Sequence, residues 1–163
     1  RKSQTKINDI LFVFVGGTDA DVQKIKNETN GKNNILIVGH RPHQEVPLWL
    51  RAADMLVLPT SGKKKIGSDY TSPIKLFEYM ASGTLIIASD LPSIREIIDN
   101  NSALFFQPDD GNDLTVKIKY GFDNYDKLGE KVSLASLKIK EYTWAKRSEK
   151  ILKFILSNLF VGR

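Results

Sequence analysis

Short apolar runs alternate along the chain with longer segments in which apolar residues recur every three or four positions. Such runs, rich in Leu, Ile, Val and Phe, are typical of strands buried on both faces of a parallel sheet. They occupy residues 10–15, 34–38, 55–58, 85–88 and 103–106. The segments between them predict helices at 19–28, 47–53, 72–82 and 92–98. This alternation predicts an α/β fold: a Rossmann-like doubly wound parallel sheet of about five strands with helices on both faces.

The last third of the chain has a different pattern. From Gly111 onward it predicts helices only, at 112–120, 123–140 and 143–159. Trp144 lies at the start of the last of these helices. A tryptophan offers a large apolar surface to a core, so we expect its side chain to be packed inside.

Size and composition fit one domain, residues 1–163, with a full hydrophobic core. The chain has no cysteine, which excludes disulfides and thiolate metal sites, and two histidines are too few for a His-rich metal centre. No apolar run is long enough to span a membrane, and the first residues lack a signal-peptide pattern, so we expect a cytoplasmic protein. The net charge of +5 favours polyanionic partners: nucleotide diphosphates, an anionic membrane or nucleic acid.

Two loop features have both a structural and a functional interpretation. The run Lys63-Lys64-Lys65 is either a solvated loop or a lip that attracts phosphate or faces a membrane. Gly16-Gly17 lies between a strand and a helix without a full G-x-G-x-x-G pattern. A simple turn is therefore favoured there over a phosphate cradle.

The most informative segment spans residues 72–83. Ser72 suits an N-cap, Pro73 suits the first helical position and Gly83 suits the residue after the helix. The free N–H groups at the start of this helix suit a phosphate. Lys75 and Glu78, three positions apart, share a helix face. They could hold a phosphate and a sugar hydroxyl, or only form a surface ion pair with each other.

This segment, Ser-Pro-Ile-Lys-Leu-Phe-Glu-Tyr-Met-Ala-Ser-Gly, with the apolar run after it, resembles the donor-binding signature of retaining GT-B glycosyltransferases of family 4, the "glycosyl transferases group 1" kind. The stretch from Arg51 to Thr60 and the Ile-Arg-Glu-Ile-Ile segment also resemble that family, in the correct order. Trp144 and the residues after it resemble the start of the family's terminal helix, which in whole enzymes crosses back toward the partner domain. Core packing of Trp144 is the favoured interpretation of the two. Glu78 matches the second of the two signature glutamates, and Tyr70 stands where the first is expected.

The resemblance implies a nucleotide-sugar donor, a UDP- or GDP-sugar, as substrate, and neither a cofactor nor a metal. By resemblance, Glu78 binds the donor ribose, and the Ser72 and Ile74 amides bind the diphosphate together with Lys75. The loop of His40 and Arg41 corresponds to the family's loop beside the base. Arg41 could stack on the base, contact a phosphate or only be solvated. The first signature glutamate contacts the transferred sugar in the family, and Tyr70 in its place leaves the catalytic residue unknown.

The resemblance also implies that the family's N-terminal acceptor domain and the first strand–helix unit of its donor domain are not in this chain. The acceptor would be a glycan or a lipid-linked molecule that binds through the missing domain. The enzyme would act in the cytoplasm or at the inner face of the membrane. With the strands numbered in their order along this chain, the expected strand order in the sheet is 2-1-3-4-5. The first and third strands would then pair directly, or leave a gap that a dimer fills.

Two other functions are weighed against sugar transfer. A non-catalytic nucleotide- or phosphate-binding module is the alternative, because Tyr70 would then reflect lost transfer chemistry. A nucleic-acid binder is not expected, since the basic run has no interleaved aromatic residues and no recognisable motif accompanies it.

Overall fold

The computed structural model describes residues 9–63 and 74–159, the last of these by its backbone only. The strands in this part of the chain are β1 (Phe12–Val15), β2 (Ile35–Gly39), β3 (Met55–Leu58), β4 (Leu85–Ser89) and β5 (Leu104–Phe106). The α-helices are α1 (Asp19–Glu28), α2 (Val46–Ala52), α3 (Ile74–Ser82), α4 (Pro92–Arg95), α5 (Gly111–Asp123), α6 (Gly129–Lys138) and α7 (Trp144–Leu159). Short 3-10 turns cover His43–Glu45, Tyr125–Lys127 and Ile139–Glu141.

The strands form two parallel sheets. One consists of β1 and β2, and the other has the order β3-β4-β5. Phe12 lies opposite Ile35 in the first sheet, and Met55 lies opposite Leu85 in the second. The α/β class, the parallel pairing and the helical last third are therefore confirmed.

The expected direct pairing of the first and third strands is not found in the described part of the chain. The two sheets are instead joined by side chains: Ile10 and Phe12 pack into one cluster with Met55 and Val57. This arrangement matches the second expectation, a gap between β1 and β3. The apolar pattern did not distinguish the two arrangements, because it records burial and not which strands exchange hydrogen bonds. That a dimer fills the gap stays a prediction.

The main core surrounds β4, whose five residues are all buried. Side chains from α3 and α4 cover one face of the three-stranded sheet, with the buried members Leu58, Leu76, Met80, Ile86, Ala88, Leu91, Ile94, Ile97, Ile98, Ala103, Phe105 and Ala135. On the other face, Ile118 of α5 packs with Ile87 and Phe106. Helices thus cover both faces of this sheet, as predicted. Packing against this core holds α3 in place beneath the edge where the strands end.

The helical last third divides into a packed and an exposed part. The Asp110 carboxylate begins α5 by accepting hydrogen bonds from the Asn112 and Asp113 amides, and α6 packs against α3 and β4. In contrast, Trp144 at the start of α7 is 81% exposed. The prediction that this side chain packs in the core is wrong, because α7 has no buried side: its described side chains are all exposed except that of Lys146, which is half-buried.

Candidate functional site

The loops that follow the three strands of the larger sheet meet at its carboxyl edge. The Gly62 amide, after β3, donates a hydrogen bond of 3.0 Å to the Asp109 carboxylate, after β5. A Cβ on Gly62 would lie 3.3 Å from Pro108 and 3.5 Å from Leu91, so a side chain there would require Pro108 to shift by a few tenths of an ångström. Asp109 has a φ of 62°, which Asp tolerates better than most residues. The edge is therefore a closely fitted group of loops, and ligands of open α/β sheets bind at such an edge.

Helix α3 is fixed against the sheet below this edge. Leu76 and Met80 are fully buried, and the Tyr79 hydroxyl donates to the Val57 carbonyl over 3.5 Å. Gly83 ends the helix with a φ of 75°, as the sequence predicts. The Ile74 and Lys75 side chains at the start of the helix are exposed. The first amides of a helix have no acceptor within the helix, so this end can receive an anion.

Glu78 lies one turn beyond Ile74 on the same side of α3, and its side chain is half-buried. Among the described ion pairs none joins Glu78 to Lys75, so the interpretation of these two residues as a surface pair is not supported. Burial, and secondly the negative charge of Glu78, raise the pKa of Tyr79. The carboxylate thus lies close to a half-buried phenol in the middle of α3 and forms no described ion pair with Lys75.

The loop of His40 and Arg41 begins where β2 ends, and both side chains are exposed. Gly39 has a φ of 72°, and its carbonyl accepts a hydrogen bond of 2.7 Å from the Gly16 amide. The chain then continues into α2, which packs against α3. The Thr84 hydroxyl donates to the Leu50 carbonyl over 3.0 Å, joining the C-terminal ends of the two helices.

Because both helices run back from the carboxyl edge, their N-terminal ends point to it together. The fold therefore brings the His40 and Arg41 loop to the same edge as Ile74, Lys75 and Glu78. No hydrogen bond or ion pair among the described residues links the two groups directly. Ser72 and Tyr70 of the sequence prediction lie outside the described residues, as do Lys64 and Lys65 of the basic run.

The Gly16-Gly17 pair forms the strand-to-helix turn before α1, with φ values of 108° and 88°. The next residue, Thr18, begins α1 with a capping box: its hydroxyl accepts from the Asp21 amide, while the Asp21 carboxylate accepts from the Thr18 amide. The Thr18 hydroxyl also donates to this carboxylate, and these hydrogen bonds lower the pKa of Asp21. The turn interpretation explains this segment without a ligand.

A polar cluster that no pattern in the sequence indicates lies after β4. Arg95 donates to both oxygens of Asp90, over 2.6 and 2.8 Å, and its guanidinium lies 3.5 Å from the centre of the Phe105 ring. The hydrogen bonds from Arg95 lower the pKa of Asp90. Asp90 precedes α4 and Arg95 is the last residue of this helix. Their five-residue spacing is not one of the spacings that regularly bring two side chains together within a helix or a strand. Only the fold brings the two residues together.

Two depressions, of about 360 and 460 Å³, lie beside this cluster along β5, and no residue of α3 lines either one. Because the Arg95 guanidinium there donates hydrogen bonds to both Asp90 and Asn100, we assign the candidate site to the start of α3 and not to the depressions. The described residues contain no group of three or more side chains that could hold a metal ion. Within the same part of the chain, no helix has the length and apolarity required to cross a bilayer.

Comparison with protein families identifies the chain. The family described as "Glycosyl transferases group 1" matches residues 1–124. The chain belongs to this family. The family resemblance of the residue 72–83 segment is thereby confirmed, together with the expectation of a glycosyltransferase domain.

Relatives with known names extend this result. The phosphatidyl-myo-inositol mannosyltransferase of Mycolicibacterium smegmatis is 30% identical over 93% of this chain and 38% of its own length. The amylovoran biosynthesis glycosyltransferase AmsK of Erwinia amylovora is 24% identical over 66% of this chain and 26% of its own length. This group 1 domain therefore spans less than two fifths of these relatives.

Solved structures show the same fold. HepE of Anabaena, in complex with UDP, has a TM-score of 0.74 at 13% identity and covers 91% of this chain and 41% of its own. The C-terminal domain of the group 1 protein LpcC of Francisella tularensis has a TM-score of 0.65 at 21% identity, over 85% of this chain and 73% of that domain. The Rossmann-like GT-B architecture is thus confirmed.

Proposed function

We propose that this group 1 domain is the donor-nucleotide half of a glycosyltransferase that moves a hexose-type sugar from a UDP- or GDP-sugar to a glycan or lipid-linked acceptor. The observation that carries the proposal is the placement of Glu78. Its carboxylate is half-buried one turn behind a helix start at the carboxyl edge of the sheet, and no described lysine or arginine forms an ion pair with it. A carboxylate so placed can accept hydrogen bonds from the two hydroxyls of a ribose.

The other donor contacts follow from the same edge. The exposed Lys75 and the amides at the start of α3, with Ser72 before them, would hold the diphosphate through charge and the helix dipole. The His40 and Arg41 loop would lie beside the base. Such an arrangement stabilises the charge of the leaving diphosphate without a metal ion.

The names of related proteins support this proposal. One relative is named as a mannosyltransferase acting on phosphatidyl-myo-inositol, and a neighbour in fold was crystallised with UDP-glucose. By extension, we propose a nucleotide-sugar donor for this chain and a reaction in the cytoplasm, at the inner membrane face if the acceptor is lipid-linked. An acceptor domain outside this chain would form the second wall of the cleft.

Titration calorimetry with UDP, GDP and inorganic pyrophosphate tests the donor site. Glu78→Gln should weaken the preferred nucleotide about tenfold, because it loses charged hydrogen bonds to the ribose, and should leave pyrophosphate binding unchanged. Lys75→Gln should weaken the nucleotide and pyrophosphate alike. Glu130→Gln, the same change in the first turn of α6, is the matched control and should alter neither. Equal losses of nucleotide and pyrophosphate in Glu78→Gln would exclude the ribose role.

A turnover assay separates the transferase from a non-catalytic binding module. We expect the 163-residue chain to bind its nucleotide without hydrolysing or transferring the sugar, since we propose that the acceptor wall belongs to a domain outside it. The longer protein, with an acceptor domain, should transfer sugar to an acceptor. Nucleotide binding without turnover in both would favour the binding module instead.

A further inference from the structure

The described start of the loop after β3 crosses the carboxyl end of the larger sheet. In this sheet β4 lies between β3 and β5, and neighbouring strands are about 4.8 Å apart. Gly62, after β3, nevertheless donates its amide hydrogen bond to the Asp109 carboxylate, after β5. A Cβ on Gly62 would also lie 3.5 Å from Leu91, in the segment after β4. The backbone at Gly62 therefore lies over the end of β4, next to the loops that follow β4 and β5.

Asp109 lies in a turn that hydrogen bonds join to both β5 and α5. The Asp110 amide donates to the Gln107 carbonyl over 3.1 Å, with Pro108 and Asp109 between them, and Asp109 has a φ of 62°. Proline followed by a residue with positive φ is typical of a type II turn, whose third residue is normally glycine. The Gln107 amide in turn donates to the Asp113 carboxylate over 2.7 Å.

An aspartate in this turn indicates a role for its side chain. Asp109 is the one residue other than glycine with a positive φ in the described part of the chain. A residue with a Cβ loses free energy in this conformation, whereas glycine adopts it without strain. Glycine lacks the carboxylate, and that carboxylate makes the hydrogen bond of 3.0 Å with the Gly62 amide. The contact with the loop after β3 therefore distinguishes Asp109 from the residue that the turn alone would favour.

The residue that this hydrogen bond positions is Lys63, the next in the chain. Its amide donates to the Ser61 hydroxyl over 3.3 Å, which folds Ser61, Gly62 and Lys63 into a short turn at the edge. The Lys63 side chain is exposed and takes part in none of the described ion pairs. The start of α3, where Lys75 lies, is at the same edge of the sheet. A lysine has a flexible four-carbon stem, so an ammonium group that starts from this edge can reach an anion bound there.

We propose that Asp109 is a positioning residue for donor binding: through the Gly62 amide it holds Lys63 at the carboxyl edge as a further cation for the donor diphosphate. This inference rests on the proposed donor site at the start of α3. The Asp109 carboxylate itself does not touch the donor. Its negative charge opposes an anion, so its contribution lies in the place that it gives to Lys63.

Two substitutions with the same change of charge isolate the hydrogen bond. Asp109→Asn keeps an oxygen that can accept from the Gly62 amide and tolerates a positive φ, whereas Asp109→Gly keeps only the turn. In calorimetry at low ionic strength, inorganic pyrophosphate should bind about threefold more weakly to Asp109→Gly than to Asp109→Asn. The preferred nucleotide, UDP or GDP, should show the same ratio. A merely structural role would shift the urea midpoint between the two variants and leave their affinities equal.

A second pair of measurements tests whether the effect passes through Lys63. Lys63→Gln should weaken pyrophosphate about threefold when added to Asp109→Asn, and less than about 1.5-fold when added to Asp109→Gly. Lys127→Gln is the matched control, because it removes an exposed lysine that follows the C-terminal end of α5, away from the carboxyl edge. It should change the affinity less than about 1.5-fold in both backgrounds.

Two results would overturn this inference while the donor site stands. The first is equal pyrophosphate affinity of the two Asp109 variants, and the second is an equal loss from Lys63→Gln in both backgrounds. A parent chain that binds UDP, GDP and pyrophosphate not at all would instead overturn the proposed donor site, and the role of Asp109 with it.

Discussion

The β3-β4-β5 sheet and the β1-β2 sheet are built from the same kinds of apolar residue but differ in burial. In β4 every residue is buried, and Ile87 has no exposed surface. In β1, Val13 and Phe14 are each 43% exposed and Val15 is 38% exposed. An apolar strand therefore becomes part of a core only where strands or helices cover it on all sides.

The difference in burial between the two sheets also distinguishes the two parts of the candidate site. Ile74, Lys75 and Glu78 stand on a helix held by the buried half, whereas His40 and Arg41 follow a strand of the exposed half. The start of α3 is therefore the part of the site that the buried core supports. The base-side loop can be positioned only as well as the smaller sheet that carries it, which is joined to the larger sheet through packing around Ile10.

The largest expected effect compares one residue from each half. Ile87→Ala should lower the free energy of unfolding by about 2–5 kcal/mol, because it leaves a cavity between β4 and α5. Val13→Ala, in a half-exposed position, should cost less than about 1 kcal/mol. Urea unfolding followed by circular dichroism measures both. A similar cost for the two substitutions would mean that the smaller sheet is as tightly packed as the larger one.

A second, smaller effect tests how tightly the larger sheet is packed where it contacts α5. A Cβ on Gly121 would lie 2.5 Å from the Met55 sulfur and 3.6 Å from Leu85. Gly121→Ala should therefore destabilise the protein by about 1–2 kcal/mol through overpacking. The control is Gly129→Ala, where nothing lies within 4 Å and the change should be neutral or stabilise by up to about 1 kcal/mol.

Met55→Val added to Gly121→Ala should recover part of the lost stability, since the sulfur that crowds the new methyl group is removed. The measurement is again urea unfolding of the single and double variants. If Gly121→Ala stabilises the protein as Gly129→Ala does, the α5 contact is looser than the distances indicate, and the larger sheet is less tightly packed than its burial implies.

Much of the fold could be predicted because local chemistry and burial agree. Helix α1 and strand β3 have the predicted bounds, since Thr18 and Asp21 cap the helix and Pro59 follows the strand. The position of α3 followed from Gly83 and the apolar spacing of its buried residues. In these elements each local preference points to the same structure that the core requires.

Other features could not be predicted because they depend on contacts distant in sequence. The run before α1 reads as a buried strand as clearly as β4 does, so its separate sheet and exposure were not visible in the pattern. In the predicted helix at 47–53 the apolar residues do not show which side is covered. Leu48 and Ala52 are exposed, whereas Val46, Trp49 and Leu50 are half-buried. The proximity of the His40 loop to α3 required the packing of α2 on α3.

The smallest predicted effect tests whether polar contacts stabilise the larger sheet, as hydrophobic packing does. The hydrogen bonds from Arg95 lower the pKa of Asp90 from 3.8, so the folded state favours the ionised carboxylate. This contribution is present above the unfolded pKa and is lost as the pH falls through the lower folded pKa. Both side chains are partly solvated, at 46% and 32% exposure, so screening reduces the pair to about 0.5–1 kcal/mol.

Asp90→Asn should therefore lower the free energy of unfolding by about 0.5–1 kcal/mol at pH 7, and the difference from the parent should shrink as the pH falls below about 4. Urea unfolding between pH 7 and pH 3 measures it. Asp126→Asn removes the same charge at an exposed residue that has no ion pair in the described part of the chain, and should change stability by less than about 0.5 kcal/mol. A pH-independent cost for Asp90→Asn would show that the residue acts through packing near Phe105 and not through its charge.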